Sequence, residues 1–248
     1  EIARSSLANW IKEHHQNIQT LAAIVGDPDV TGIEEMQRRV ETIKAVSPAF
    51  NRMGVLDKNA VTIAYSPLKD ENGKSNLRLD FSDRPFIPIL KETKKLYVSG
   101  VVMGRIGNPA PMVPLLAPII VEGVYKGYCT GILELPQISN MISVLANQEN
   151  YNISVVDNQG KVVASTIPSL QVMEPFERPY AGEGKIWTSD VLHWIPDPQA
   201  GISVMQRWRS SLIVRSVAVA PDYAWKLIVE APMLPVVERV SRHGIHWL

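Results

Sequence analysis

The sequence has a single cysteine, no excess of charge of either sign and no apolar run long enough to cross a membrane. Cys129 cannot form an internal disulfide, and the apolar residues around it predict a buried thiol. The 25 basic and 25 acidic residues balance and no basic run is present, which argues against nucleic acid as a partner. Without a stretch of about 18 apolar residues, we expect no membrane span within the chain.

Sequence patterns for catalysis and for cofactor binding are also missing. There is no Gly-x-Ser-x-Gly elbow, no zinc-binding cysteine set and no dinucleotide fingerprint. His14 and His15 are adjacent on a predicted helix and therefore point about 100° apart, while His243 and His246 have no acidic or cysteine partner nearby. We therefore predict no catalytic residue, no metal site and no cofactor, and we do not expect an enzyme.

Two near-copies of one hairpin sequence lie in the chain. Val55-Leu56-Asp57 begins the first copy and Val155-Val156-Asp157 begins the second. A later pair also repeats, with Ile132-Leu-Glu-Leu-Pro136 matching Ile228-Val-Glu-Ala-Pro232. Repeats in the same order indicate two related domains in tandem. A chain of 248 residues, 46% of them hydrophobic, can form two cores of about 100 residues each.

Hydrophobic periodicity predicts two helices followed mainly by strands. An apolar stripe at helical spacing marks a long first helix and includes Leu7, Trp10, Ile11 and Ile18. In each copy we predict a hairpin, a loop with a short helix and three strands of an antiparallel sheet, which in the first copy are expected at 97–103, 111–121 and 125–135. In the second copy, residues 173–201 are predicted to be irregular. The last three strands of that copy are predicted at 203–208, 212–220 and 224–230.

Four segments resemble, in order, parts of the double-Cache sensor domains, which are the extracytoplasmic sensors of bacterial and archaeal receptors. Asp80-Phe-Ser-Asp-Arg-Pro-Phe86 resembles an Asp-x-x-x-Arg-x-aromatic stretch of the membrane-distal module. Residues 96–99 resemble its Pro-Tyr-Val-Ser strand, and residues 125–135 resemble its closing strand. Residues 222–232 resemble the last strand of the membrane-proximal module. The resemblance covers nearly the whole chain.

The resemblance implies an α+β fold in which two tandem PAS-like modules follow a long N-terminal helix. Each module would have a central antiparallel sheet of about five strands flanked by helices. The expected regions are a helical part at 1–48, a membrane-distal module at 49–147, a membrane-proximal module at 148–235 and a C-terminal helix at 236–248. Because the chain begins inside a helical pattern and not with methionine, we expect a piece of a longer, membrane-anchored protein.

The implied function is extracytoplasmic sensing of a small molecule by a transmembrane receptor. We interpret the receptor as a sensor histidine kinase, with a chemoreceptor or a diguanylate cyclase as alternatives. A small hydrolase and a ligand-free structural spacer are alternatives of another class. The apolar stripe of the first helix suggests a homodimer formed through that helix, although the stripe could also pack on the chain's own modules.

The resemblance places a ligand site in the distal module. Arg84 is the expected anchor, because a guanidinium fits a carboxylate at two points, and Phe86 and Tyr97 would form walls beside Asp83. In the amino-acid-binding branch of the family an aspartate holds the ligand's ammonium, and Ile132 stands at that position. We therefore expect a small carboxylate to be favoured and an α-amino acid to be disfavoured. The alternative for Arg84 is an ordinary surface ion pair with a neighbouring aspartate, Asp83 or Asp80.

Overall fold

The computed structural model describes residues 2–180, 185–188 and 191–233. The chain divides into a first unit, Ser6–Gln137, and a second unit that combines Glu1–Ser5 with Ile138–Leu248. The region boundaries at residues 48, 147 and 235 stay predictions. The predicted C-terminal helix at 236–248 lies outside the described residues, as do His243 and His246. None of the helices in the described ranges has both the length and the apolar character that a membrane span requires.

The first unit is built on an antiparallel sheet. Its strand order is β2-β1-β6-β5-β3, and the short strand β4 also pairs with β5. The unit holds most of helix α1, two further helices and six strands. In chain order these elements are α1 (Ile2–Val25), α2 (Ile33–Ala45), β1 (Phe50–Asp57), β2 (Thr62–Ser66), α3 (Phe86–Thr93), β3 (Tyr97–Val98), β4 (Val102–Met103), β5 (Pro111–Val121) and β6 (Val124–Leu133).

The second unit contains a second antiparallel sheet, with the strand order β8-β7-β12-β11-β10-β9. Two sheets of this kind with flanking helices confirm the predicted α+β fold of two PAS-like modules. The elements are α4 (Leu135–Glu149), β7 (Asn152–Val156), β8 (Val162–Ser165), β9 (Lys185–Thr188), β10 (Val191–Trp194), α5 (Val204–Arg209), β11 (Leu212–Ala220) and β12 (Tyr223–Pro232).

The repeated hairpin folds in the same way in both units. In the first, the Oδ1 atom of Asp57 accepts hydrogen bonds from the backbone N–H groups of Asn59 (2.8 Å) and Val61 (3.1 Å). In the second, Oδ1 of Asp157 accepts from Gln159 (2.8 Å) and Lys161 (3.0 Å). An aspartate that closes its own turn in this way fixes the register of the two strands that follow from it. The repeat in sequence is therefore a repeat in structure.

Most of the apolar stripe of α1 is buried. Leu7, Ile11 and Ile18 have no exposed surface, whereas Trp10 is only partly buried. The helix approaches the sheet where Gly131 lies, since a Cβ atom at this position would be 2.5 Å from Cδ1 of Ile18. Three of the four residues expected at a dimer interface are thus already buried by the chain itself. The homodimer stays a prediction.

The structure corrects three predicted elements. Residues 203–208 are not a strand. Val204–Arg209 form helix α5, whose N-terminus is capped because Ser203 and Gln206 form a capping box with reciprocal bonds of 2.8 and 3.2 Å. The segment 173–201, predicted to be irregular, contributes β9 and β10 to the second sheet. The strand expected at 97–103 is broken into β3 and β4, which pair with different parts of β5.

Candidate functional site

A pocket opens on one face of the first sheet, with about 430 Å³ of empty space when the open solvent at its mouth is included. Strands β1, β2, β5 and β6, the loop before α3 and the loop after β4 supply its wall. Alternation along β6 decides which side chains reach it, because successive residues of a strand point to opposite faces. Tyr128, Thr130 and Ile132 line the pocket, and Gly131 lies on the face that packs against α1.

Arg84 is the best-buried charged group of the pocket wall, with 7% of its surface exposed. Its Nη2 atom donates a hydrogen bond to the backbone carbonyl of Met103 (3.0 Å), and its guanidinium carbon lies 5.9 Å from the centre of the Phe81 ring. In the described part of the chain no carboxylate forms a hydrogen bond with it. Burial, followed by the nearby charge of Arg105, lowers the pKa of Arg84. A guanidinium nevertheless stays charged, so the wall contains a cation that is near the charge of Asp83 but has no carboxylate hydrogen-bonded to it in the described structure.

The local chain holds Arg84 in place by backbone bonds. Its N–H donates to the carbonyl of Phe81 (3.0 Å), and its own carbonyl accepts from the N–H of Ile87 (3.1 Å). Pro85 follows at the helix N-cap position, where the missing N–H of proline costs no hydrogen bond. Arg84 is therefore fixed in the turn that begins α3, and its side chain points into the pocket from a rigid base.

The two other arginines of the wall are already paired with exposed carboxylates. Arg105 binds both oxygens of Asp83, with Nη1 and Nη2 each at 2.7 Å, and this bond is the main reason that the pKa of Asp83 is lowered. Arg52 binds Glu71 (2.7 Å) and the backbone carbonyl of Ile106 (2.7 Å). No aspartate or glutamate is among the described lining residues, so the pocket is positive at its wall.

A threonine hydroxyl and several aromatic rings complete the wall of the pocket. The Thr130 hydroxyl is buried and has no hydrogen-bond partner within the described residues. Tyr128 is 2% exposed, and its ring meets Phe86 edge to face with centroids 6.0 Å apart. Burial raises the pKa of Tyr128, which keeps its phenol neutral. Tyr65 and Phe81 add two further aromatic faces.

The residues predicted for the site separate into two groups. Arg84, Phe86 and Ile132 all lie in the pocket wall. Tyr97 is partly buried and packs on the core cluster beneath the pocket, outside the lining residues. Asp83 is exposed and directs its carboxylate to Arg105. The alternative of a surface ion pair between Arg84 and Asp83 is therefore not the arrangement observed.

Several wall residues escaped the sequence analysis. Tyr128 and Thr130 alternate with Ile132 along β6, so the expected position of Ile132 was a signal that could have identified them. Arg52 and Arg105 come from a distant strand and from a loop. Their approach to Arg84 depends on the sheet pairing and has no local signal.

No family model and no curated protein matches the chain in sequence. Solved structures match it in fold. The ligand-binding domain of the Pseudomonas aeruginosa PAO1 chemoreceptor PctB with L-arginine superposes with a TM-score of 0.72 at 16% identity, over 98% of this chain and 88% of that one. The ligand-binding domain of the Pseudomonas fluorescens chemoreceptor CtaA with L-isoleucine also gives 0.72, at 15% identity over 96% and 91%.

A third similar structure is an extracellular ligand-binding receptor from Desulfohalobium retbaense DSM5692, with a TM-score of 0.65 and 13% identity. The match covers 92% of this chain, which spans only 38% of that receptor. All three are ligand-binding structures of receptors.

The prediction that α-amino acids are disfavoured is wrong, because two structures with this fold hold L-arginine and L-isoleucine. That prediction treated the side chain at Ile132 as the only group able to meet an ammonium. The observed wall also offers the Thr130 hydroxyl and aromatic faces, and both accept an ammonium. One apolar position therefore does not decide between a carboxylate and an amino acid.

The similar structures match nearly the whole chain, which contains a long N-terminal helix followed in sequence by two tandem modules. At 13–16% identity this likeness concerns the fold. The chain has the fold of the double-Cache sensor domains of extracytoplasmic receptors.

Proposed function

We propose that this chain is the extracytoplasmic sensing domain of a chemoreceptor and binds an amino acid or a closely related carboxylate in the pocket of the first unit. The observation that carries the proposal is Arg84, a buried cation without a carboxylate partner in the described structure. A charge buried without an anion is costly, so an anionic ligand gains affinity by completing the pair.

The carboxylate of the ligand would bind the guanidinium of Arg84. Among the described residues, Nη2 of Arg84 donates to Met103 and no other side-chain bond of Arg84 is found, so its remaining N–H donors could make a two-point contact. Arg105 and Arg52 lie in the same wall, and their positive charge is partly offset by Asp83 and Glu71. They would favour the entry of an anion while Arg84 provides the direct contact.

The amino group of the ligand would lie near Thr130 and the aromatic faces. The Thr130 hydroxyl has no hydrogen-bond partner in the described part of the chain and could accept from an ammonium, and Tyr65, Phe81 and Tyr128 offer ring faces to a cation. The apolar residues Leu56, Met112 and Ile132 would contact the ligand's side chain. A polar end and an apolar end in one pocket suit an amino acid better than a sugar or a simple amine.

The comparisons support a chemoreceptor more than the histidine kinase first considered. PctB and CtaA are chemoreceptors, and this chain matches about nine-tenths of each ligand-binding domain. A signal would require the ligand to favour one of two conformations, because equal affinity for both shifts nothing. The hydrolase alternative has no support in the pocket, whose described wall contains no histidine, cysteine or carboxylate.

A thermal-shift screen of the purified chain tests the proposal. The compounds are L-amino acids, the corresponding acids without the amine, and the corresponding amines without the carboxylate. A ligand at about 100 times its Kd stabilises a protein by about 2.7 kcal/mol, which raises the Tm by several degrees. We expect shifts from amino acids and none from the amines. Equal shifts from the amines, or no shift from any carboxylate, would overturn the proposal.

A further inference from the structure

The ligand-site segment of the first unit has a counterpart in the second. Asp83-Arg-Pro-Phe86 is followed, in the next copy of the repeat, by Glu177-Arg-Pro-Tyr180. Each segment gives an acidic residue, an arginine, a proline and an aromatic residue in the same order. Arg178 and Tyr180 thus correspond to Arg84 and Phe86.

Strand pairing shows which residue of the second unit corresponds to Ile132. Val55 and Val155 are equivalent in the repeated hairpins, and they pair with Cys129 and Leu227 on the following central strand. Three residues further along that strand lie Ile132 and Glu230. The neighbouring strands agree, since Arg52 and Pro114 flank Ile132 whereas Asn152 and Val214 flank Glu230. Glu230 therefore occupies the position of Ile132, so the pairing of the strands shifts the sequence match of Ile132 with Ile228 by two residues.

Glu230 binds Arg178 in the manner proposed for a ligand at Arg84. Nε of Arg178 donates to Oε1 (2.7 Å), and Nη2 donates to Oε2 (2.8 Å). The Tyr180 hydroxyl donates a further hydrogen bond to Oε1. Glu230 is 2% exposed, so this carboxylate is removed from water almost completely. The bonded pair raises the pKa of Arg178, which keeps the guanidinium charged.

We propose that Glu230 is a built-in carboxylate ligand that closes the second unit, and that the residue at this one strand position decides which unit binds an external carboxylate. In the second unit Glu230 fills the anion site of Arg178. In the first unit the apolar side chain of Ile132 leaves the corresponding site of Arg84 open. The part that concerns Ile132 rests on the proposed function, whereas the part that concerns Glu230 does not.

The first test is rescue of a Glu230→Ala variant by acetate. The substitution is made together with Arg84→Met, so that the pocket of the first unit cannot respond to the probe. Sodium acetate is compared with sodium chloride at equal ionic strength. At about ten times its Kd, acetate is expected to raise the Tm of this variant by roughly 3–5 °C. Arg84→Met alone is expected to shift by less than about 1 °C, because its second site is already occupied.

A control variant distinguishes a carboxylate site from a general effect of the salt. Adding Arg178→Met to the Glu230→Ala chain removes the anchor and should abolish the acetate shift. If this control responds equally, or if the Glu230→Ala chain is folded and does not respond, the proposal is overturned. Should the variant fail to fold, its refolding yield with acetate is measured instead. A yield that acetate does not raise above the chloride control also overturns the proposal.

The reciprocal test places a carboxylate in the first unit. The glutamate introduced by Ile132→Glu should pair with Arg84 and lower the affinity for the amino-acid ligand by at least about 30-fold. Ile132→Leu should retain most of that affinity. Acetate rescue in the second unit with no Arg84-dependent ligand in the first would contradict the proposed function alone. Arg84-dependent binding without acetate rescue would contradict the role of Glu230 alone.

Discussion

Arg105 holds both carboxylate oxygens of Asp83, each at 2.7 Å, so the residue next to Arg84 in the chain is engaged elsewhere. Asp83 is exposed, whereas Arg84 is buried in the pocket wall. The pairing leaves one arginine free to meet a ligand and partly neutralises another. We therefore expect Asp83 to modulate the charge of the pocket, although its predicted role as a ligand-binding residue stays untested.

Asp83→Asn should therefore strengthen binding of a carboxylate ligand. The substitution removes a negative charge near the pocket and releases Arg105, for which we expect an affinity gain of about two- to fivefold that decreases at high salt. The stability of the fold should change little, because the pair is exposed. Isothermal titration calorimetry at low and high salt measures this. A loss of affinity would instead make Asp83 a direct ligand contact.

Thr130→Val should stabilise the free domain and weaken ligand binding. The hydroxyl is buried and none of the described residues bonds to it, so its removal should add about 1 kcal/mol to the free energy of unfolding. Loss of its bond to the ligand should reduce affinity by about three- to tenfold. Urea unfolding and calorimetry give the two values.

The same substitution at Thr62 provides the matched control. The Thr62 hydroxyl is buried but donates to the carbonyl of Asn76 (2.8 Å) and accepts from the N–H of Leu79 (2.9 Å). Thr62→Val should therefore destabilise the fold by about 1–3 kcal/mol. Equal effects of the two substitutions on stability would mean that the Thr130 hydroxyl has a partner.

The candidate site could be predicted only where local sequence and strand alternation specify it. Arg84 and Phe86 belong to one short segment, and Ile132 follows from its place on a strand, so these three reach the pocket wall as their positions suggested. Arg52 and Arg105 also line the pocket, but the sequence did not predict this, because their positions depend on long-range strand pairing. The α-amino-acid prediction was wrong because it reduced the ammonium site to one position.

Gly131→Ala should destabilise the first unit and spare the ligand site. An added Cβ would lie 2.5 Å from Ile18 and 2.6 Å from the Phe50 ring, which predicts a loss of about 1–3 kcal/mol in urea unfolding. Gly54→Ala is the comparison, since its Cβ would lie 2.3 Å from the ring of Tyr65, a residue of the pocket wall.

Ligand affinity separates these two glycine variants. It should fall for Gly54→Ala and stay within about twofold of the unsubstituted chain for Gly131→Ala. Both glycines lie in central strands, but the added atoms would point to opposite faces of the sheet. A similar loss of affinity in both variants would contradict the assignment of these faces.

His15 should make the stability of the chain depend on pH below neutrality. Burial lowers its pKa from 6.5, and its Nε2 lies 2.9 Å from the carbonyl of Leu116. As the pH falls below about 6.5, the unfolded chain binds a proton that the folded chain refuses, so stability decreases until the folded pKa is passed. Thermal unfolding between pH 7.5 and 5.5 measures this decrease.

His15→Gln should flatten the pH dependence, because glutamine keeps an N–H donor for Leu116 without titrating. His14→Gln, one residue earlier, should keep the decrease because His15 is intact. If the decrease persists unchanged in His15→Gln, it arises from another group.

The fold was easier to predict than its details, and the reasons are physical. The two hairpins were recognisable because an aspartate closes each turn at the same place, Asp57 and Asp157. Helix α5 was mistaken for a strand because Val204 and Trp208 favour strands, and the capping box of Ser203 and Gln206 was not recognised in the sequence. Strands β9 and β10 lie in a proline-rich segment whose pairing is set by the sheet and not by local pattern.

The most direct measurement is calorimetry of the strongest amino-acid ligand with Arg84→Met and with Arg105→Met as the matched control. Both arginines line the pocket, but only Arg84 lacks a carboxylate partner in the described structure. We predict that Arg84→Met weakens binding by at least about 30-fold, equivalent to about 2 kcal/mol, and Arg105→Met by less than about fivefold. Unchanged affinity in Arg84→Met, or equal losses in both variants, would contradict Arg84 as the anchor.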